Sequence, residues 1–357
     1  MGSKNIRFIS LDLLRGIAAI GVVLYHTLHY SLDIFSPLYI LVDLFFVLSV
    51  FVLEPIFPSQ ASDPDAIKAF IKKRALRFWP MTTVALLTWS IWIYAQTNNG
   101  NITFDKYGGK PALSFLGALL LLQIFSATSV MWIAPLWSLS AEWFSNLIAI
   151  PILLRKSIKL DALTVALGLM LIGVGLRLDQ QFISDFGPIK GWEALGRALT
   201  GLFIGIILRK NFARLSLNRI FNHTSFSVVS LIALYLFIIQ FGYFSVLVAP
   251  FLFAPVIVRL ALANERVFNS RLKPGAVIAG NLSFGIYVWH VAFCDFFIGI
   301  FGKFGLDPRV DISSAVLLFI FTLSCAIIAT LITQKFVEVP IQKWFKNRTE
   351  KLDSKTI

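Results

Sequence analysis

The run LDLLRGIAAIGVVLYHTLHY, Leu11 to Tyr30, is apolar and long enough to cross a bilayer, yet it contains Asp12, Arg15, His26 and His29. Ionisable groups at membrane depth are costly and face a pore or a site. Arg15 and His26 are eleven residues apart, which puts them on nearly one face of a helix, about 16 Å apart along its axis. Asp12, one turn before Arg15, is placed to hold its guanidinium. The run therefore reads as part of a site. It is retained as a first span rather than a signal peptide, since it is charged and lacks a small-residue cleavage site.

Apolar residues make up 57% of the chain and charged residues 14%. With repeated apolar runs near the roughly 20 residues that a span needs, this composition predicts an all-α, polytopic membrane helical bundle. Cys294 and Cys325 lie in apolar segments and imply no disulfide framework. The net charge of +13 does not point to nucleic acid, because the basic residues are scattered among loops without interleaved aromatics. No metal-ligand cluster is expected.

The basic residues instead set the topology. Expected spans are roughly 9–29, 38–56, 79–96, 137–154, 162–177, 194–208, 225–240, 243–261, 280–300 and 313–336. A further apolar stretch, 112–136, is expected to be re-entrant. Ten spans then place both termini in the cytoplasm, with 23 Lys and Arg on the inner segments and five outside: Lys106, Lys110, Lys190, Lys303 and Arg309. A non-crossing stretch at membrane depth must be buried in protein or line a cavity, so 112–136 itself points to the site. The expected division is a transmembrane domain over 1–345 and a cytoplasmic tail over 346–357.

The basic stretch AFIKKRALRFWP enters the third span. Lys72 and Lys73 suit a membrane-surface anchor, whereas the three-residue spacing of Arg74 and Arg77 puts two guanidinium forks on one face, an arrangement suited to phosphate.

Six blocks carry a resemblance. LDLLRGIAAIGVVLYH, VDLFFVLSVFVL, FIKKRALRFWP, PLWSLSAEWF, LSFGIYVWH and FVEVPIQKW occur in the order and approximate spacing of the acyltransferase-3 family of membrane O-acyltransferases, and the chain resembles that family over nearly its whole length. The resemblance implies a ten-helix domain that moves an acyl group, commonly acetyl from acetyl-CoA, onto a sugar hydroxyl of an envelope glycan or onto a smaller acceptor. The family's Arg-x10-His falls on Arg15 and His26, and its Arg-x-x-Arg on Arg74 and Arg77. Trp-Ser-Leu-x-x-Glu falls on Trp137, Ser138, Leu139 and Glu142, and the late Tyr-x-x-His on Tyr287 and His290. The sequence departs from the pattern at Val50, where Gly is usual, and at Ser145 and Asn146, where an aromatic is common.

The chemistry fits these residue types. An attacking hydroxyl must lose its proton, and a neutral imidazole suits that task near pH 7. His26 is the expected base, Glu142 is expected to orient it or share its role, and Arg15, Ser138 and Ser140 are candidate oxyanion donors. Arg74 and Arg77 are expected to bind acyl-CoA at a cytoplasmic entrance. Asp12, Asp43, Trp137, Ser138, Tyr287 and His290 are expected to support the site or contact substrate; Asp43 also suits pairing with a neighbouring cation. Arg197 and Glu338 are expected in buried pairs that fix helix register. His29, near the outer interface, is expected to be solvated.

The expected partners are acyl-CoA, a glycan or lipid-linked sugar and the bilayer, and the expected location is the bacterial inner membrane. The last expected span ends about twenty residues before the C-terminus, and the acceptor is expected to reach the membrane by itself. Two other readings are a transporter or flippase of a lipid-linked glycan, whose interior charges would couple transport, and a noncatalytic membrane protein. Against them stand the lack of a detectable repeat and the density of intramembrane ionisable residues.

Overall fold

A computed structural model describes residues 7–52, 64–98, 110–125, 132–178, 191–267 and 272–353. Within them the chain is an all-α membrane bundle with no strand. The helices are α1 (Ile9–Leu28), α2 (Leu41–Phe51), α3 (Pro64–Asn98), α4 (Pro111–Leu119), α5 (Leu136–Leu153), α6 (Ile158–Leu178) and α7 (Gly191–Lys210). There follow α8 (Phe212–Leu217), α9 (Arg219–Asn222), α10 (Thr224–Phe241), α11 (Ala249–Val267), α12 (Lys273–Lys303), α13 (Ile312–Thr333) and α14 (Val339–Asp353). Two 3₁₀ turns, Asp33–Ile40 and Gly242–Leu247, lead into α2 and α11, and a π turn, Gln334–Glu338, joins α13 to α14.

Eight helical stretches among the described residues are long and apolar enough to cross a bilayer. The other two expected spans fall on the C-terminal half of α3, whose basic start dilutes its apolarity, and on α11. The expected boundary of the latter is corrected. Residues 243–247 form a 3₁₀ turn, and the apolar helix runs from Ala249 to Ala263. Gly242 ends α10 with φ +53°, a left-handed conformation that costs glycine little, and this reverses the chain.

Within the stretch expected to be re-entrant the structure describes α4, whose nine residues rise only about 13 Å. The turn that follows is held from inside the protein. Ser140 Oγ donates to Leu121 O (2.5 Å) and accepts from Ile124 N (3.3 Å), while Trp79 Nε1 donates to Leu119 O (2.9 Å). Residues 126–131, Lys106 and Lys190 lie outside the described residues.

Two pairs of parallel helices position the site. In the first, α1 lies along α12 because Gly16 and Gly280 leave room: a Cβ on Gly16 would stand 2.6 Å from Ala279 Cβ, and one on Gly280 2.6 Å from Asp12 Cβ. In the second, α2 lies along α7, and their crossing holds a fully buried ion pair. Arg197 donates from Nε to Asp43 Oδ1 (3.1 Å) and from Nη2 to Oδ2 (2.7 Å), neither side chain having any exposed surface. Asp43 thus pairs with a cation and Arg197 sits in a buried pair, as the sequence suggested of each. Val50, the departure from the family pattern, is wholly buried on α2.

Candidate active site

Two cavities lie along α1, sharing Val42 and Tyr287 as a common wall. The first has a volume of about 150 Å³ and is lined by Arg15 of α1, Arg74 and Arg77 of α3, Ser138 and Glu142 of α5, and Ser283, Phe284 and Tyr287 of α12, with apolar residues of α2. The i, i+3 spacing of the α3 arginines carries both guanidinium groups to it. Arg74 pairs with Glu142 and lies 4.9 Å from the Phe78 ring centroid; Arg77 lies 5.1 Å from that of Phe284. Arg74 Nε is buried without a hydrogen-bond partner. Arg15 and Arg77 make no hydrogen bond or ion pair among the described residues, although Arg77 senses the charges of Glu142 and Glu338. Three cations thus share the cavity with one directly bound carboxylate. Burying such charges is stabilised by a counter-ion, which an anionic ligand would supply.

The second cavity, about 30 Å³, has room for roughly one water. His26 lines it with Tyr25, Tyr39, Ala134, Pro135 and Trp137. The ring beside His26 is that of His290, at a centroid distance of 4.9 Å. His290 Nδ1 is held by Tyr287 O at 2.7 Å, while its Nε2 is buried without a hydrogen-bond partner. Between the cavities, the hydroxyls of Tyr287 and Ser138 share a 2.7 Å hydrogen bond, and Tyr287 also donates to Pro135 O at 3.1 Å. Trp137 covers Arg197, whose guanidinium carbon stands 5.0 Å from its ring centroid.

Two expected pairings are corrected. Glu142 does not meet His26, because seven residues, about 10 Å of helix, separate it from Pro135 at the His26 cavity; that offset delivers its carboxylate to Arg74. Asp12 does not hold Arg15. Its carboxylate in the first turn of α1 accepts from Arg7 Nε at 2.6 Å, and Arg7 Nη2 continues to Asn281 Oδ1 at 2.9 Å. An acidic group is favourable at that helix end, and Arg7, just ahead of the helix, reaches it while Arg15 lines the cavity. Sequence reasoning did not identify Arg7, Ser283 or Phe284. Phe284 lies within the quoted block LSFGIYVWH, but an aromatic in a span has too many uses to be singled out. Ser145 and Asn146 are buried beside Glu142, and Asn146 Nδ2 donates to Glu142 O at 2.7 Å.

A family model described as an acyltransferase domain matches residues 8–332. The chain belongs to the acyltransferase-3 family. Similar curated proteins are Staphylococcus aureus proteins named Putative O-acetyltransferase: SACOL0978 of strain COL is 24% identical and SAS0844 of strain MSSA476 23% identical, each over 95% of this chain. The chain spans 58% of the length of these relatives. No solved structure matches the chain significantly.

Proposed function

We propose that this chain is an integral-membrane O-acyltransferase that takes an acyl group, acetyl in the simplest case, from acyl-CoA and delivers it to a hydroxyl of an envelope glycan or lipid-linked sugar. The observation that carries the reading is the Arg15, Arg74 and Arg77 cavity, short of counter-charge and one wall away from His26. The CoA phosphates bind the arginines, with Glu142 positioning Arg74. The long pantetheine arm then runs past Tyr287 and Ser138 toward His26, covering the roughly 16 Å that separate Arg15 from His26 along α1.

At His26 the acceptor oxygen forms a bond to the thioester carbonyl carbon as its proton passes to the imidazole. The carbon–sulfur bond breaks, and the proton returns to the sulfur, leaving an ester and free CoA. His290 packs against His26, the two ring centroids 4.9 Å apart, and fixes one side of the imidazole. Because CoA is a cytoplasmic molecule, the arginine cavity faces the cytoplasm, both termini lie on that side, and a bacterial inner membrane is the setting.

The test supplies radiolabelled acetyl-CoA and a bacterial envelope glycan fraction to the purified chain in nanodiscs. Base-labile label in the glycan is expected, falling about 10²-fold in His26→Gln, the scale for loss of a positioned acid–base group. Absence of label with the unsubstituted chain, or equal label in both, refutes the proposal.

A further inference from the structure

Beyond the His26 cavity, at the end of α1 away from Arg15, lies a chamber of about 790 Å³ between α1, the first 3₁₀ turn and the end of α10. Its size falls within the roughly 300–1,000 Å³ typical of small-molecule sites. Five tyrosines line it: Tyr25, Tyr30, Tyr39, Tyr235 and Tyr243. Several of the rings are held in place. The Tyr39 hydroxyl donates to Gly242 O at 3.0 Å and shares a 2.6 Å hydrogen bond with Ser245 Oγ, and its ring packs on Tyr243 at 5.3 Å. Tyr25 stacks on His29 at 4.5 Å with 19° between planes.

The lining chemistry selects a ligand class. The carboxylate of exposed Asp33 and the hydroxyl of Ser36 are both present, no Lys or Arg lines the chamber among the described residues, and the imidazole in the lining, His29, is stacked on Tyr25 with its Nδ1 taken up by Tyr25 O at 2.5 Å. A phosphate would meet a carboxylate with no Lys or Arg to offset it. A pyranose ring, by contrast, has apolar C–H faces that stack on aromatic rings and hydroxyls that donate to a carboxylate. One wall is apolar, formed by Ile34, Ile238 and Ile239. That wall includes the exposed side of α10, where Tyr235 is 46% and Ile239 64% exposed. Tyr25 and Tyr39 also wall the His26 cavity, so a ring seated here has a route for one hydroxyl toward the imidazole.

We propose that this tyrosine chamber binds a pyranoside with an apolar aglycone, the ring lying between the tyrosines and the aglycone along α10. The proposal rests on the acyl-transfer reading for its place in a reaction, but the binding stands or falls separately. The test is saturation-transfer NMR on the full chain in nanodiscs, with octyl glucoside, octyl galactoside, octyl mannoside and octyl N-acetylglucosaminide as probes and empty nanodiscs as the blank. At least one probe is expected to show saturation of its ring protons, falling severalfold in Tyr30→Ala and Tyr235→Ala and retained in Tyr235→Phe. A thermal unfolding transition matching that of the unsubstituted chain in the same samples reports that each variant is folded. Saturation of the octyl chains alone for all four probes, or ring saturation indifferent to the tyrosine variants in folded protein, overturns the proposal. Sugar binding without acyl transfer would leave the chamber standing and remove the acyltransferase reading; transfer without sugar binding here would do the reverse.

Discussion

At the scale of single residues, the charges inside the bundle divide into those that are satisfied and those that are not. Asp43 and Arg197 satisfy each other, so Arg197→Met alone is expected to destabilise the protein by about 3–5 kcal/mol by stranding a buried carboxylate, while the double Asp43→Leu/Arg197→Met variant recovers much of that loss. Thermal unfolding in detergent measures both, and equal loss in the single and double variants would contradict the account. Arg77 behaves differently because its guanidinium has no hydrogen-bonded partner of its own. Arg77→Ala is expected to weaken acyl-CoA binding at least tenfold, with partial rescue by Arg77→Lys and little effect of Lys72→Ala, whose ammonium lies 4.8 Å from the Phe345 ring centroid. Donor titration by calorimetry distinguishes the three variants. The sequence singled out Arg15, Arg74, Arg77, Glu142 and Tyr287, because each stands out as polar in an apolar block. It misplaced Glu142 relative to His26, since spacing along one helix says nothing about the phase at which another helix crosses it.

At the scale of helices, small residues decide which surfaces touch. Gly16 has no room for a side chain against α12, whereas Gly173 of α6 has nothing within 4 Å of a built Cβ. Gly16→Leu is expected to cost at least about 1–3 kcal/mol through overpacking and to displace Arg15. Gly173→Ala is expected to leave the protein as stable or raise it by up to about 1 kcal/mol, through helix propensity. Melting temperatures of the pair check this. The start of α13 shows a capping device outside the membrane. Asp311 accepts from the amides of Ser313 and Ser314, and the Ser314 hydroxyl, foremost among the causes, holds its carboxyl below the ordinary aspartate range. A depressed carboxyl contributes stability above its unfolded pKa and loses it as pH falls through the folded value, so the cap weakens only in acid. Hydropathy made most helices legible. The 3₁₀ turn before α11 was not, because residues 243–248 are as apolar as the helix that follows and only the positive φ of Gly242 marks the break.

At the scale of the molecule, the proposed topology predicts that single cysteines at Lys156 and Asn211 are labelled only from the cytoplasm and one at Arg309 only from outside, in a Cys294→Ser/Cys325→Ser background. Labelling of Arg309 and Lys156 from the same side would contradict the proposed topology. The buried pair between α2 and α7 carries a further consequence, for biogenesis. Asp43 leaves the ribosome about 150 residues before Arg197, so during synthesis the second span meets the translocon with an uncompensated aspartate, a penalty of about 3 kcal/mol near mid-membrane. A chain truncated ahead of Gly191 is therefore expected to hold α2 poorly in the bilayer, and the arrival of α7 to draw it into place, making insertion of an early segment wait on translation of a late one.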